Sequence, residues 1–260
     1  MRRKVKPKLG FLVPRVTCAE TLSSLSSLVA SSSASQVPTL NGVNSSLVIQ
    51  DAQNNTRSKL LSDLTENLEN WVAPEKIRRG FPYYLSGYDD DDRPIWVLEM
   101  GRYNVRQAVE EGGETLQALE MWMQQCAYRV MKSAIGRGTP GDENRILMFL
   151  IDADGLELSQ LTHLPTLGFF LRQAFVYSKL IQDYLGATII VNANYVAQWL
   201  INLSRPVFGH AMERVEVYGT NKATWIPQLR RKFPPDAIPP WYGGICTPIL
   251  QSDLLNGKLG

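Results

Sequence analysis

The chain has 260 residues, of which 44% are apolar or aromatic and 20% are charged. These proportions are typical of a globular protein with one large domain or two small ones. The net charge of +2 is unevenly distributed: residues 1–50 contain six basic side chains and one acidic, and the remainder contains 21 basic and 24 acidic. The remainder therefore carries a net charge of −3, without the concentrated basic face of a nucleic-acid-binding protein. Apolar runs reach about six residues, whereas a membrane span needs about twenty, so we expect a soluble protein.

The N-terminal region and the cysteines bear on localisation. Residues 1–55 begin with a basic cluster and become Ser-rich with little periodicity, which favours a disordered tail; a mitochondrial transit peptide is the alternative. The cysteines, Cys18, Cys126 and Cys246, are odd in number, lie far apart and form no CxxC motif. This pattern argues against a disulfide framework or a zinc site and favours a reducing, cytoplasmic compartment.

Periodicity from Thr56 onward predicts a folded region. Apolar residues at helical spacing (Leu60, Leu61, Leu64, Leu68 and Trp71), followed by Pro74 and Gly80 as the limits of a second helix, indicate a helical segment over residues 56–80. A domain over residues 81–245 and a tail over 246–260 follow. Within the domain we predict helices over Glu114–Ser133, Thr166–Asp183 (ended by Gly186), Tyr195 to about Leu203 (broken at Pro206) and Lys222–Arg231 (kinked or shortened by Pro227).

Predicted strands alternate with these helices. They cover Pro94–Met100, Arg145–Ile151, Ala187–Val191 and Val215–Tyr218. The second and third are continuous apolar runs, as expected for parallel strands buried on both faces. The alternation predicts an α/β fold with a mainly parallel sheet covered by helices.

Signals for catalysis are weak. The chain lacks the GxGxxG, GxxxxGK[ST] and GxSxG motifs, and neither His163 nor His210 has partners at metal-binding spacing. His163 precedes a helix, where capping or packing explains it. Residues 152–155 (DADG) lack the later ligands of a calcium loop and are interpreted as a turn, and the acids at 89–92 as a solvated loop. We therefore expect a binding protein with no metal site and no cofactor apart from its ligand.

Four stretches carry short motifs in a fixed order. They are GYD and RPIW within Pro82–Met100, FLIDADGLELSQL at Phe149–Leu161, DYLGATIIVNAN at Asp183–Asn194, and YGT and IPPWYGG within Val215–Gly244. Together they resemble the CRAL-TRIO lipid-binding family, which includes phosphatidylinositol/phosphatidylcholine transfer proteins and tocopherol- and retinaldehyde-binding proteins. Asp92 stands where the family usually has glycine. The resemblance implies an α/β cage with a hydrophobic cavity for one lipid, either a phospholipid such as phosphatidylinositol or an isoprenoid such as tocopherol or a retinoid.

The resemblance also implies roles for individual residues. The helix after Asn192 matches the family's mobile gate, with Val196, Trp199, Leu200, Leu203, Val207, Phe208 and Met212 as gate residues. On spacing alone, an ordinary core-facing helix is the better explanation of this apolar face, and only the resemblance favours the gate. Asp183 and Arg214 match headgroup contacts, although Asp183 could instead cap its neighbours and Arg214 could pair with Glu213 or Glu216. Candidates for docking to an anionic membrane are Arg205, Arg230, Arg231 and Lys232, which otherwise are solvated helix ends.

These features predict a cytoplasmic protein that associates transiently with membranes. We expect it to bind one lipid and to transfer or present it between membranes, without nucleic acid as a partner. A non-exchanging lipid sensor or scaffold is the alternative, and an enzyme is a more distant one because no acid–base pair or nucleophile stands out.

Overall fold

The computed structural model describes residues 67–135 and 146–246. The predicted N-terminal tail, Leu60, Leu61, Leu64 and the C-terminal tail after Cys246 lie outside the described residues. Residues 67–70 are helical. The helices that follow are α1 (Glu75–Gly80), α2 (Val105–Glu111), α3 (Gly113–Ile135), α4 (Leu158–Thr162), α5 (Leu164–Tyr184), α6 (Tyr195–Phe208) and α7 (Lys222–Lys232). Short 3-10 helices cover Met100–Arg102, Gly209–Arg214, Pro235–Ala237 and Pro240–Tyr242.

In the described part of the chain, five strands form one sheet in sequential order. They are β1 (Tyr83–Tyr88), β2 (Pro94–Leu98), β3 (Leu147–Asp152), β4 (Leu185–Val191) and β5 (Val215–Val217). β1 and β2 pair in antiparallel fashion, and β2 to β5 are parallel to their neighbours. The predicted α/β fold with a mainly parallel, helix-covered sheet is confirmed.

The two faces of the sheet pack against different helices. Alternate residues of β2 to β4, including Ile95, Leu150 and Ile189, face α7, whose Trp225 and Leu229 are fully buried there. The intervening residues, including Trp96 and Phe149, face α1, α3 and α5. Helix α6 packs on this second face near Ile190, and Val215 and Val217 contribute to the same cluster. The sheet therefore separates α7 from α5 and α6.

Two predicted helix limits are wrong. Gly186 does not end α5: the helix ends at Tyr184, and Gly186 lies inside β4, because pairing of Leu185 with Leu147 begins that strand earlier. Pro206 does not break α6, which continues to Phe208. The predicted helix Lys222–Arg231 is confirmed within one residue as α7, so Pro227 does not shorten it. A proline removes one backbone hydrogen bond, but packing on both sides of it keeps these helices continuous.

The acidic turn between β1 and β2 is only in part the solvated loop that was predicted: Asp90, Asp91 and Asp92 are exposed, whereas Asp89 is buried. Asp89 is only 8% exposed, and its carboxylate accepts hydrogen bonds from the backbone N–H groups of Asp91 and Arg93 and from Arg93 Nε at 2.7 Å. Asp92 has a φ of 59°, in the left-handed region that favours glycine. The family that the sequence resembles usually has glycine at this position, and the left-handed conformation gives the physical reason.

Candidate functional site

An apolar cavity of about 200 Å³ lies between the sheet and the C-terminal halves of α5 and α6. The sheet contributes Phe149, Ile151, Thr188 and Ile190 to one wall, and α5 contributes Ile181. Ser204 and Phe208 of α6 form the opposite wall, continued by Ala211 and Met212 of the following 3-10 helix; Leu98, Leu185 and Val215 complete the lining. The volume is below the range of about 300–1,000 Å³ that is typical of ligand sites. A whole lipid therefore requires outward movement of one wall.

The predicted gate residues divide into three groups. Phe208 and Met212 line the cavity. Val196 is buried and Leu200 partly buried against the cluster that joins α6 to Ile190, and Leu203 and Val207 are half-buried. Trp199, in contrast, is 44% exposed and does not line the cavity.

Both ends of α6 are well defined. At its start, the Asn194 side chain accepts a hydrogen bond from Ala197 N and donates one to Leu156 O. Asn192, two residues before Asn194, has a φ of 56°. At its end, Gly209 has a φ of 50° and its N–H donates to Arg205 O. Left-handed residues at both ends allow the chain to reverse direction sharply on either side of the helix.

One side-chain hydrogen bond ties the C-terminal turn of α6 to α5. Gln182 Nε2 donates to Val207 O at 2.9 Å. Gln182 follows Ile181 and Val207 precedes Phe208, and both of those neighbours line the cavity. The bond therefore joins two walls of the cavity at its edge.

The two headgroup candidates, Asp183 and Arg214, are both close to Leu185, the first along the chain and the second through a hydrogen bond. Asp183 is two residues before Leu185 and pairs with Lys179 at 2.7 Å, which raises the pKa of that lysine. Arg214 Nη1 donates to Leu185 O at 3.3 Å, while Glu213 contacts His210 and Glu216 pairs with Lys232. Leu185 lines the cavity, whereas neither Asp183 nor Arg214 is among the lining residues.

The four basic docking candidates are not grouped together. Arg205 is exposed on α6, with its Nε donating to Asn202 Oδ1 at 3.0 Å. The other three are on α7, across the sheet from the cavity. Arg230 donates twice to Gly243 O, at 2.9 and 2.6 Å, and Lys232 pairs with Glu216; Arg231 is exposed. Of the four, Arg205 alone is on a helix that borders the cavity.

A set of exposed apolar side chains on α4, α5 and α6 was not predicted from the sequence. Five of the nine large apolar side chains that the described residues expose belong to α4, α5 and α6, so these helices present an unusually apolar surface. They are Leu158, Leu164 (77% exposed), Phe175 (66%), Tyr195 (72%) and Trp199. Leu164 and Phe175 are eleven residues apart, about three turns, and so share one face of α5. Apolar periodicity predicts which residues are buried and gives no sign of which apolar residues are exposed, although the three-turn spacing of Leu164 and Phe175 is visible in the sequence.

Polar groups cluster where β3 and β4 end. Asp152 accepts hydrogen bonds from Asn192 Nδ2 at 2.9 Å, from Asp154 N at 3.0 Å and from the Tyr242 hydroxyl at 2.8 Å. Burial and then the charge of Asp152 raise the pKa of Tyr242. Residues 152–155 thus form the turn that was predicted, with Gly155 at a φ of 89°. These contacts hold the segment that carries IPPWYGG against the residues that precede α6.

Comparison with known proteins identifies the family. The sequence model described as CRAL/TRIO domain matches residues 78–244, well over half of the chain. The chain belongs to the CRAL/TRIO domain family. Curated relatives include "Protein real-time" from Aedes aegypti, 25% identical over 196 residues, and "CRAL-TRIO domain-containing protein T23G5.2" from Caenorhabditis elegans, 23% identical over 181 residues. The matches cover 74% and 69% of this chain but only 30% and 25% of those relatives.

Among solved structures, the one titled "Crystal structure of Sfh5" is 10% identical, covers 71% of this chain and 64% of that chain, and has a TM-score of 0.47. Membership of the CRAL/TRIO family confirms the resemblance identified from the four motifs and makes this a lipid-binding type of domain. Within the described residues, no helix is long and apolar enough to cross a membrane.

Proposed function

We propose that the protein holds a single lipid in the cavity beneath α6 and exchanges it with membranes. The observation that carries this proposal is the lining: ten of the twelve residues around the cavity are apolar, and none is charged. Such a surface suits hydrocarbon and would be costly to hydrate. The ligand is a phospholipid such as phosphatidylinositol, or an isoprenoid such as tocopherol or a retinoid. Asp183 and Arg214 contact its polar end.

Exchange requires a moving wall, and α6 with its following 3-10 helix is the proposed gate. A chain of about sixteen carbons hides roughly 13 kcal/mol of transfer free energy, at about 0.8 kcal/mol per CH₂. The chain must therefore pass from bilayer to cavity without entering water. Outward movement of Phe208 and Met212 would enlarge the cavity towards the size that a lipid needs.

The apolar side chains on the outer surface of α4, α5 and α6 are the proposed membrane contact. Leu164, Phe175, Tyr195 and Trp199 would insert at the interface, and Arg205 would add about 1 kcal/mol of attraction to anionic lipid. The basic residues of α7 are separated from this surface by the sheet, so Arg230, Arg231 and Lys232 would act in docking only through long-range attraction. Docking through α4 to α6 would bring the cavity next to the bilayer.

The experiment separates binding from exchange. Solvent extraction and mass spectrometry of the purified full chain should identify one co-purified lipid, and fluorescent lipid should move between donor and acceptor vesicles. Phe208→Asp places a charge in the cavity and should abolish both lipid retention and transfer. Trp199→Asp should slow transfer while leaving the retained lipid unchanged, since Trp199 does not line the cavity.

Three outcomes would contradict parts of this proposal. Absence of any bound lipid would refute it as a whole. Bound lipid without transfer would indicate a non-exchanging sensor or scaffold. Equal retention in Phe208→Asp and the wild-type protein would place the lipid in a different site.

A further inference from the structure

Thr188 is a polar residue in the middle of an apolar wall. It lies on β4, alternates with Ile190 on the cavity side of the sheet, and is only 5% exposed. Among the described residues its hydroxyl makes no hydrogen bond to protein, and its oxygen is not one of the fully buried side-chain atoms that lack a partner, so the hydroxyl is accessible from the cavity. A valine of similar shape would complete the apolar wall, so the hydroxyl needs an explanation.

The second polar residue of the lining differs from it. Ser204, on α6, donates its hydroxyl proton to Leu200 O at 2.6 Å and is therefore already satisfied as a donor. Thr188 thus supplies the unused hydrogen-bond donor of the cavity, while Ser204 retains acceptor capacity. With no charged side chain in the lining, a phosphate or carboxylate at this depth would be uncompensated and strongly unfavourable.

We propose that Thr188 is a specificity-determining residue that donates a hydrogen bond to a neutral oxygen of the bound lipid. This inference rests on the proposed lipid-binding function of the cavity. It selects, within that function, a long-chain or isoprenoid lipid whose polar group is an uncharged hydroxyl or carbonyl, in preference to one whose phosphate enters the cavity. Hydrocarbon alone fills the apolar walls but leaves Thr188 unsatisfied.

Paired probes test the role of the hydroxyl. Full-length protein is incubated with equal amounts of hexadecanol and hexadecane, and the bound ratio of alcohol to alkane is measured by extraction and mass spectrometry. Thr188→Val should lower this ratio about two- to ten-fold, the usual range for one neutral hydrogen bond. Thr188→Ser should preserve it. The matched control is Ile190→Val, which trims the same wall without changing polarity and should affect both probes equally.

Thermal unfolding of the ligand-free variants gives an independent readout. Because the hydroxyl lacks a partner, Thr188→Val should unfold at or above the wild-type temperature; a clear decrease would show that the hydroxyl is satisfied within the protein and would overturn the inference. An unchanged alcohol-to-alkane ratio in Thr188→Val would also overturn it, while leaving lipid binding intact. If phosphatidylinositol from mixed vesicles outcompetes hexadecanol equally well in both proteins, the proposed lipid class is wrong. Failure of wild-type protein to bind any probe would instead refute the proposed function.

Discussion

Removal of the Gln182 hydrogen bond should make the gate open more often. Gln182 of α5 donates to Val207 O at 2.9 Å, beside the two cavity-lining residues Ile181 and Phe208. Val207 is in the last turn of α6, where backbone carbonyls lack helical partners and attract donors. Gln182→Met keeps the length and shape of the side chain but cannot donate, so the α6 end loses this link to α5.

The size of the effect follows from the nature of the bond. A neutral intramolecular hydrogen bond contributes about 0.5–1.5 kcal/mol net, and Gln182 is exposed, so water competes for the same groups. Loss of such a bond increases the open population about two- to ten-fold. Gln182→Glu should open the gate at least as much, because a carboxylate faces the negative end of the α6 dipole. Gln182→Lys restores a donor with a favourable charge and should keep the gate closed.

Hydrogen exchange and lipid transfer measure this opening independently. Amides of residues 205–214 should exchange faster in Gln182→Met and Gln182→Glu than in wild type or Gln182→Lys, and vesicle-to-vesicle transfer should follow the same order. Gln198→Met is the matched control, since Gln198 donates to Ala193 O at 3.2 Å, just before α6, and does not link α6 to α5. If the wild-type protein and the three Gln182 variants exchange these amides at the same rate, Gln182 does not hold the gate.

Two further predictions concern stability. Gly101→Ala should destabilise the protein by about 3 kcal/mol in urea unfolding, because the new Cβ would lie 2.0 Å from Asp154 O. The control, Gly168→Ala on α5, places its Cβ in open space and should stabilise the protein by up to about 1 kcal/mol. Equal effects of the two substitutions would show that Gly101 is not tightly packed. The hydrogen bond from Lys232, and to a smaller extent that from Tyr218, lowers the pKa of Glu216 in the folded protein. Ionised Glu216 therefore stabilises the fold at neutral pH, and this contribution is lost as the pH falls below about 4.5. The unfolding temperatures of wild type and Lys232→Gln should therefore converge in acid, and a constant difference from pH 7 to pH 3 would contradict this.

Local sequence patterns determined most of the secondary structure. The runs RILMFLI and ATIIV predicted buried parallel strands, and β3 and β4 are parallel strands in the middle of the sheet. The apolar spacing in Glu114–Ser133 predicted α3 within two residues at each end. These successes share a cause: periodicity and continuous apolar runs are properties of neighbouring residues, so they can be read without knowing which other element covers them.

The prolines and acids show where local patterns fail. A proline predicts the end of a helix because it removes one hydrogen bond, but α6 and α7 continue through Pro206 and Pro227. Beyond Pro227, Leu229 is fully buried, and beyond Pro206, Phe208 lines the cavity. A run of acids predicts a solvated loop, yet Asp89 is buried by the hydrogen bonds it accepts within the turn. In each case the stabilising contacts depend on conformation, which composition does not encode.

The sequence by itself determined the lipid-binding family, the sheet and the helix that borders its cavity. The tertiary structure alone decided that Phe208 and Met212 line the cavity while Trp199 faces outward, and that three docking candidates are on the far side of the sheet. It also revealed Thr188, since a continuous apolar run does not tell which side of a strand faces a helix and which faces a cavity. The cavity is lined by residues from Leu98 to Val215. Their proximity arises from the packing of four strands, two helices and one 3-10 helix, because no local pattern specifies the space between elements distant along the chain.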